Sequence, residues 1–122
     1  MELNISGTYE YTPKFNGNRA RPVEDQISVT YRYMTSEEEE KFTHLVPRYD
    51  TKKADQVEVD IKTSANAIWD ACVEKVDGLK DKTSKAAISD PKKVRAIPGI
   101  YGLITEVVAE IKKGITEDEL KN

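Results

Sequence analysis

Between Pro98 and Gly114 the chain carries one apolar stripe, and the need to bury it constrains the fold more than any other feature. Ile100, Leu103, Ile104, Val107, Val108 and Ile111 recur at steps of three and four, the spacing of one face of an α-helix. Lys112 and Lys113 place positive charge at the negative end of the helix dipole, and Gly114 stands where a left-handed C-cap is expected. A helix of this kind owes its stability to the surface its apolar face packs against. The rest of the chain must therefore supply that surface. Beyond Gly114 a second helix start is expected, because Thr116 and Glu119 have capping-box spacing with Ile115 and Leu120 at the staple positions. The sequence stops at Asn122, a few residues into that start.

Strands are the predicted source of the partner surface. Leu3, Ile5, Tyr9 and Tyr11 alternate around a break at Gly7, and Ile27, Val29, Tyr31 and Tyr33 alternate with Ser28, Thr30 and Arg32. These two segments are expected to pair antiparallel across the stretch 12–21, where Pro13 and Asn16-Gly17 demand a turn or loop. Thr35 or Ser36 caps a short helix through about His44, with Glu37 to Glu40 in its first turns, and Pro47 ends it. Val57, Val59 and Ile61 alternate with Glu58, Asp60 and Lys62 and predict a third strand. A helix is then expected from Thr63 or Ser64 through Ala65, Ile68, Trp69, Cys72, Val76 and Leu79, with Gly78 weakening its last turn. A short one follows, capped by Ser89 or Asp90 with Pro91 at its first position. The order, strands first and helices later, indicates an α+β fold: a small N-terminal antiparallel sheet of about three strands packed against C-terminal helices. At 122 residues one domain is expected over 1–122, mainly strands with one short helix in 1–62 and helical in 63–122. The strand order is left open.

Composition bounds the function. No segment approaches a membrane span, and the N-terminal residues lack the basic end and apolar run of a signal peptide. A single cysteine cannot form an internal disulfide, which suits a reducing cytoplasm. The net charge of −3 departs from the basic profile of most nucleic-acid binders. Two local basic groups stand against that background. Lys14, Arg19 and Arg21 lie with Phe15 in the first loop, which is expected to be long and mobile and to suit contact with a neighbouring protein. Lys80, Lys82, Lys85, Lys92, Lys93 and Arg95 lie near the second linker, but Asp77, Asp81 and Asp90 interrupt them, which weighs against phosphate binding.

Catalytic chemistry leaves little trace. His44, the only histidine, has no positioned partner in sequence, and Cys72 falls in an apolar stripe with no basic neighbour to activate it. Glu37 to Glu40 point in four directions on a helix and cannot converge on a cation. Asn16-Gly17-Asn18 lacks the spacing of a phosphate-cradling loop. The expectation is a protein that is not an enzyme and needs no metal or cofactor.

The segment Thr8 to Thr35 (TYEYTPKFNGNRARPVEDQISVTYRYMT) and the end IPGIYGLITEVVAEIKKGITEDELKN resemble the tail assembly chaperones of long-tailed bacteriophages and prophages. The likeness lies at both ends of the chain. It is carried by Phe15-Asn16-Gly17-Asn18-Arg19 with Pro22 and Gln26, by Leu103 to Ile111, and by Thr116 to Asn122; residues 63–90 match only in being helical and polar. The resemblance implies a non-enzymatic factor that binds the tape measure protein, keeps it soluble, and helps recruit the tail-tube protein. It implies work in the host bacterial cytoplasm, self-association into a ring or spiral, and absence from the mature virion. Many such proteins are made in two lengths by frameshifting; Leu120-Lys121-Asn122 can be encoded as TTA AAA AAC, which contains the slippery heptamer A AAA AAC. The residues expected at protein contacts are Phe15 and Arg19 in the loop, and Ile115, Thr116, Glu119 and Leu120 at the end. Two other readings stand beside this one: a structural component of the tail or tail tube, retained in the particle, and a small nucleic-acid-binding regulator.

Overall fold

A computed structural model describes residues 7–43 and 65–114. Over these residues the chain is α+β. The strands are β1 (Tyr9–Tyr11), β2 (Ser28–Tyr31) and β3 (Val73–Asp77); the helices are α1 (Ser36–Thr43), α2 (65–72), α3 (Pro91–Arg95) and α4 (Tyr101–Lys113). Two short 3-10 turns, Phe15–Ala20 and Val23–Asp25, fill the stretch between β1 and β2.

The sheet is antiparallel throughout, in the order β1-β2-β3, so the central strand is the one with the clearest alternation in sequence. Register places Tyr11, Val29 and Val76 in one row and Tyr9, Tyr31 and Val73 in the next. Both rows face the core, because side chains two apart on a strand share a face. Glu10, Thr30 and Lys75 form the intervening row on the opposite face.

The strand β3 corrects the helix expected from Thr63 or Ser64 through Leu79. The strand expected around Val57, Val59 and Ile61 falls outside the described residues, as does His44. The helix expected to run on to Leu79 stops at residue 72, and the chain passes directly into β3. A β-bulge explains why the sequence reads as helix there. Thr30 pairs with Lys75 and Tyr31 with Val73, so Glu74 is an extra residue without a partner across the strand. The bulge shifts the alternation by one, and Val73 and Val76, three apart, are both buried. Three-residue spacing of buried residues is what a helix also produces. Gly78 therefore ends a strand. Its φ of 90° is open to glycine, and a Cβ there would lie 2.2 Å from the Gln26 carbonyl oxygen.

The remaining elements close over the sheet. Asp90 accepts from the Lys92 amide and Pro91 begins α3, as the sequence predicts. Ile100, Leu103, Ile104, Val107, Val108 and Ile111 are all buried, so the α4 stripe is the one read from the sequence. Gly114 caps α4 with a positive φ of 65°, its amide donating to the Ile111 carbonyl. Ile68, Trp69 and Cys72 of α2 and Val94 of α3 join them with Val29, Tyr31 and Val76 in one apolar cluster. The indole N–H of the fully buried Trp69 donates to the Pro91 carbonyl at 2.8 Å. Among the described residues no helix is long and apolar enough to cross a membrane.

Candidate protein-interaction site

The first loop is built on α4. The sixteen residues between β1 and β2, 12–27, would be costly to order without partners for their amides and carbonyls. Glu106, Asn18, Gln26 and Arg19 supply partners from their side chains. Glu106, half-buried on the flank of the α4 stripe, accepts from the Tyr11 hydroxyl at 2.6 Å, the Lys14 amide at 2.7 Å and the Phe15 amide at 3.0 Å. Asn18 is 1 % exposed and fully engaged: its amide donates to the carbonyls of Pro13 and Ile27, and its oxygen accepts from the Ile27 amide. Gln26 donates to the carbonyls of Arg19 and Arg21. Asn16 and Gly17 take left-handed dihedrals in the middle of the first turn, which Asn and Gly tolerate best.

The expected contact residues of the loop lie differently from one another. Phe15 is half-buried and seated against α4, where Gly102 leaves room for its ring; a Cβ on Gly102 would stand 3.1 Å from it. Arg19 is exposed. Its Nε donates to the Thr12 carbonyl at 2.8 Å and its guanidinium lies over the Tyr11 ring at 5.6 Å. The open, solvated loop expected from the sequence is thus replaced by a structured one, with Phe15 turned inward and Arg19 outward. Ile115, Thr116, Glu119 and Leu120 lie outside the described residues. Nearby Val23, at 82 % exposure, is the large apolar side chain that the loop presents to solvent.

Glu106 and Asn18 were not anticipated as organising residues. Glu106 sits one position before Val107 at the edge of the apolar stripe, where a carboxylate ordinarily serves only solvation. Gly102 is the sharper sign, since a glycine inside a helical pattern lowers helix propensity and calls for a packing reason. Burial and the Glu106 hydrogen bond together push the Tyr11 phenol up to about 12.

A second polar knot ties α1, β2 and α2. The Arg32 guanidinium donates to both Glu38 oxygens, at 2.7 and 2.8 Å, and to the Ala71 carbonyl, while the Arg32 amide donates to the Cys72 carbonyl. Thr35 and Glu38 complete a capping box: the Glu38 amide donates to the Thr35 hydroxyl and the Thr35 amide to the Glu38 carboxylate. The Arg32 hydrogen bonds hold the Glu38 carboxyl down at about 2. Cys72 behind them is fully buried, and desolvation pushes its thiol up to about 11, so it stays protonated and packs as a small apolar side chain.

A shallow open groove of about 430 Å³ lies between α1, α2 and α3, lined by Lys41, Phe42, Ala67, Asp70, Ala71 and Lys92. Its carboxylate, Asp70, is taken by Arg95 at 2.7 Å, which leaves an apolar floor with two lysines beside it. Among the described residues no group of three or more His, Cys, Asp or Glu side chains could hold a metal ion. Comparison with known protein families, with curated proteins and with solved structures returns no match.

Proposed function

We propose that this protein is a tail assembly chaperone of a long-tailed bacteriophage or prophage. It binds the tape measure protein in the bacterial cytoplasm, holds it soluble without catalysis, and yields it to the tail-tube protein as the tube forms. One observation carries the reading beyond the sequence resemblance. Two of the separate stretches that bear the resemblance, Phe15 to Arg19 and Leu103 to Ile111, meet through Phe15 beside Gly102 and through Glu106 on the Lys14 and Phe15 amides. They form one physical unit, a rigid loop on a long helix, rather than two unrelated matches. Such a unit suits reversible contact with an elongated partner, because a preorganised surface loses little freedom on binding. Arg19, exposed on this unit, and the segment Ile115 to Leu120 that follows α4 in sequence are its proposed contact residues.

The experiment is co-expression with the tape measure protein encoded by the same phage or prophage. The tape measure protein is expected in the soluble fraction and to co-purify with this chain, and purified tails are expected to lack the chain. A tape measure protein that remains insoluble, or finished particles that retain this chain, would replace the chaperone reading with that of a tail component.

A further inference from the structure

Aspartates interrupt the lysine-rich stretch after β3. In the structure those aspartates are already occupied. Asp77 pairs with Lys75 at 3.4 Å. Asp81 turns back on its own hairpin, accepting from the Thr83 amide at 2.8 Å and the Ser84 amide at 3.4 Å. Asp90 caps α3. Lys80, Lys82, Lys85, Lys92 and Lys93 are all exposed, and among the described residues none of the five is in an ion pair.

The backbone beneath them is fixed. The Ile88 amide donates to Leu79 and the Asp81 amide to Ala86, so 79–88 is a closed hairpin, with Lys80 opposite Ala87. At its tip the Lys85 amide donates to the Asp81 carbonyl and the Ala86 amide to the Ser84 hydroxyl, and Lys85 takes a φ of 61°. At its base the Val76 amide donates to Ser89, which sets the start of α3, and with it Lys92 and Lys93, beside β3. The result is a rigid projection carrying five cations on a chain whose total charge is −3.

We infer that this basic hairpin, Lys80, Lys82 and Lys85 with Lys92 and Lys93 at its foot, is a docking surface for the acidic face of a partner protein. The tip amides are bonded within the turn, so they form no cradle for a phosphate. The stretch 80–96 has no aromatic residue to stack on a base and no apolar wedge for a bilayer. A nucleic-acid duplex would also run its dense charge past the rest of the chain, which is more acidic than the total. Screening over about 8 Å at physiological salt lets a local acidic patch engage the projection while the remainder stays out of range. This surface is distinct from the first loop and stands independently of the chaperone reading.

The test uses the full chain, ¹⁵N-labelled, with three probes at low salt: a helical peptide of repeating glutamate and alanine, mixed-sequence duplex DNA, and phosphatidylserine vesicles. The peptide is expected to bind more tightly than either of the others and to shift amides concentrated in 79–93. Lys80→Gln/Lys82→Gln/Lys85→Gln should weaken it about tenfold, the sum for three exposed ion pairs, and Lys14→Gln/Arg21→Gln by less than about twofold. The turn is held by Asp81 and Ser84, so the triple variant keeps its fold, which an unchanged amide spectrum elsewhere verifies. No peptide binding, equal losses in the two variants, or tighter binding of DNA or vesicles would each overturn the inference.

Discussion

Single carboxylates tie down the chain at two places, Glu106 under the first loop and Glu38 at the start of α1, and their effects are accessible to titration. The phenol of Tyr11 is pushed up to about 12 from an ordinary 10, by burial and by its hydrogen bond to Glu106. A folded-state value raised in this way favours the neutral phenol, so its stabilising contribution is complete below pH 10 and is lost as pH rises through 12. Ultraviolet titration of the tyrosines should lose a late component in Tyr11→Phe, and the same component should move earlier in Glu106→Gln. Glu38 works in the other direction. Its carboxyl, held near 2 by Arg32, contributes stability that is whole above about pH 4.5 and is lost as pH falls toward 2. Acid unfolding of Glu38→Gln, followed by circular dichroism, should accordingly be shallower over that window than that of the parent. Neither carboxylate stood out in sequence. Glu38 is one of four consecutive glutamates; its capping-box spacing from Thr35 and the position of Arg32 across the turn select it.

At the scale of elements, legibility followed periodicity. The α4 stripe and β2 were readable because their side chains keep one period from end to end, and burial follows that period residue by residue. β3 was hidden because the bulge at Glu74 gives a strand the spacing of a helix, and because α2 delivers Cys72 into it without a turn. The first loop was legible as a place of turns but not as a structured unit, since Asn18 and Glu106 find their partners only in three dimensions. Glycine offers a test of these assignments. Gly78→Ala places a methyl group against the Gln26 carbonyl and forces a positive φ, whereas Gly99 has a positive φ of 81° but no atom within 4 Å of a Cβ. Gly99→Ala should cost about 1 kcal/mol for the backbone alone. Gly78→Ala should cost clearly more, at least about 2 kcal/mol, in equilibrium urea unfolding. Equal losses would mean that β3 does not end against Gln26.

Among the described residues, one apolar cluster joins the sheet to the four helices, and none of these elements has a core of its own. Unfolding should be a single cooperative transition. Trp69, the only tryptophan and completely buried, reports it directly: its fluorescence and the far-ultraviolet helix signal should have coincident midpoints. The sheet described above also sets an order of assembly. β1 and β2 are joined by a built loop of sixteen residues, 12–27, whereas β3 must return to β2 from more than forty residues along the chain. Entropy of ring closure therefore favours early pairing of the first two strands and late docking of the third. A truncation such as Val76→Ala should then act mainly by hastening unfolding, and Val29→Ala by also slowing refolding. The strand that sequence periodicity concealed is the one whose arrival completes the sheet.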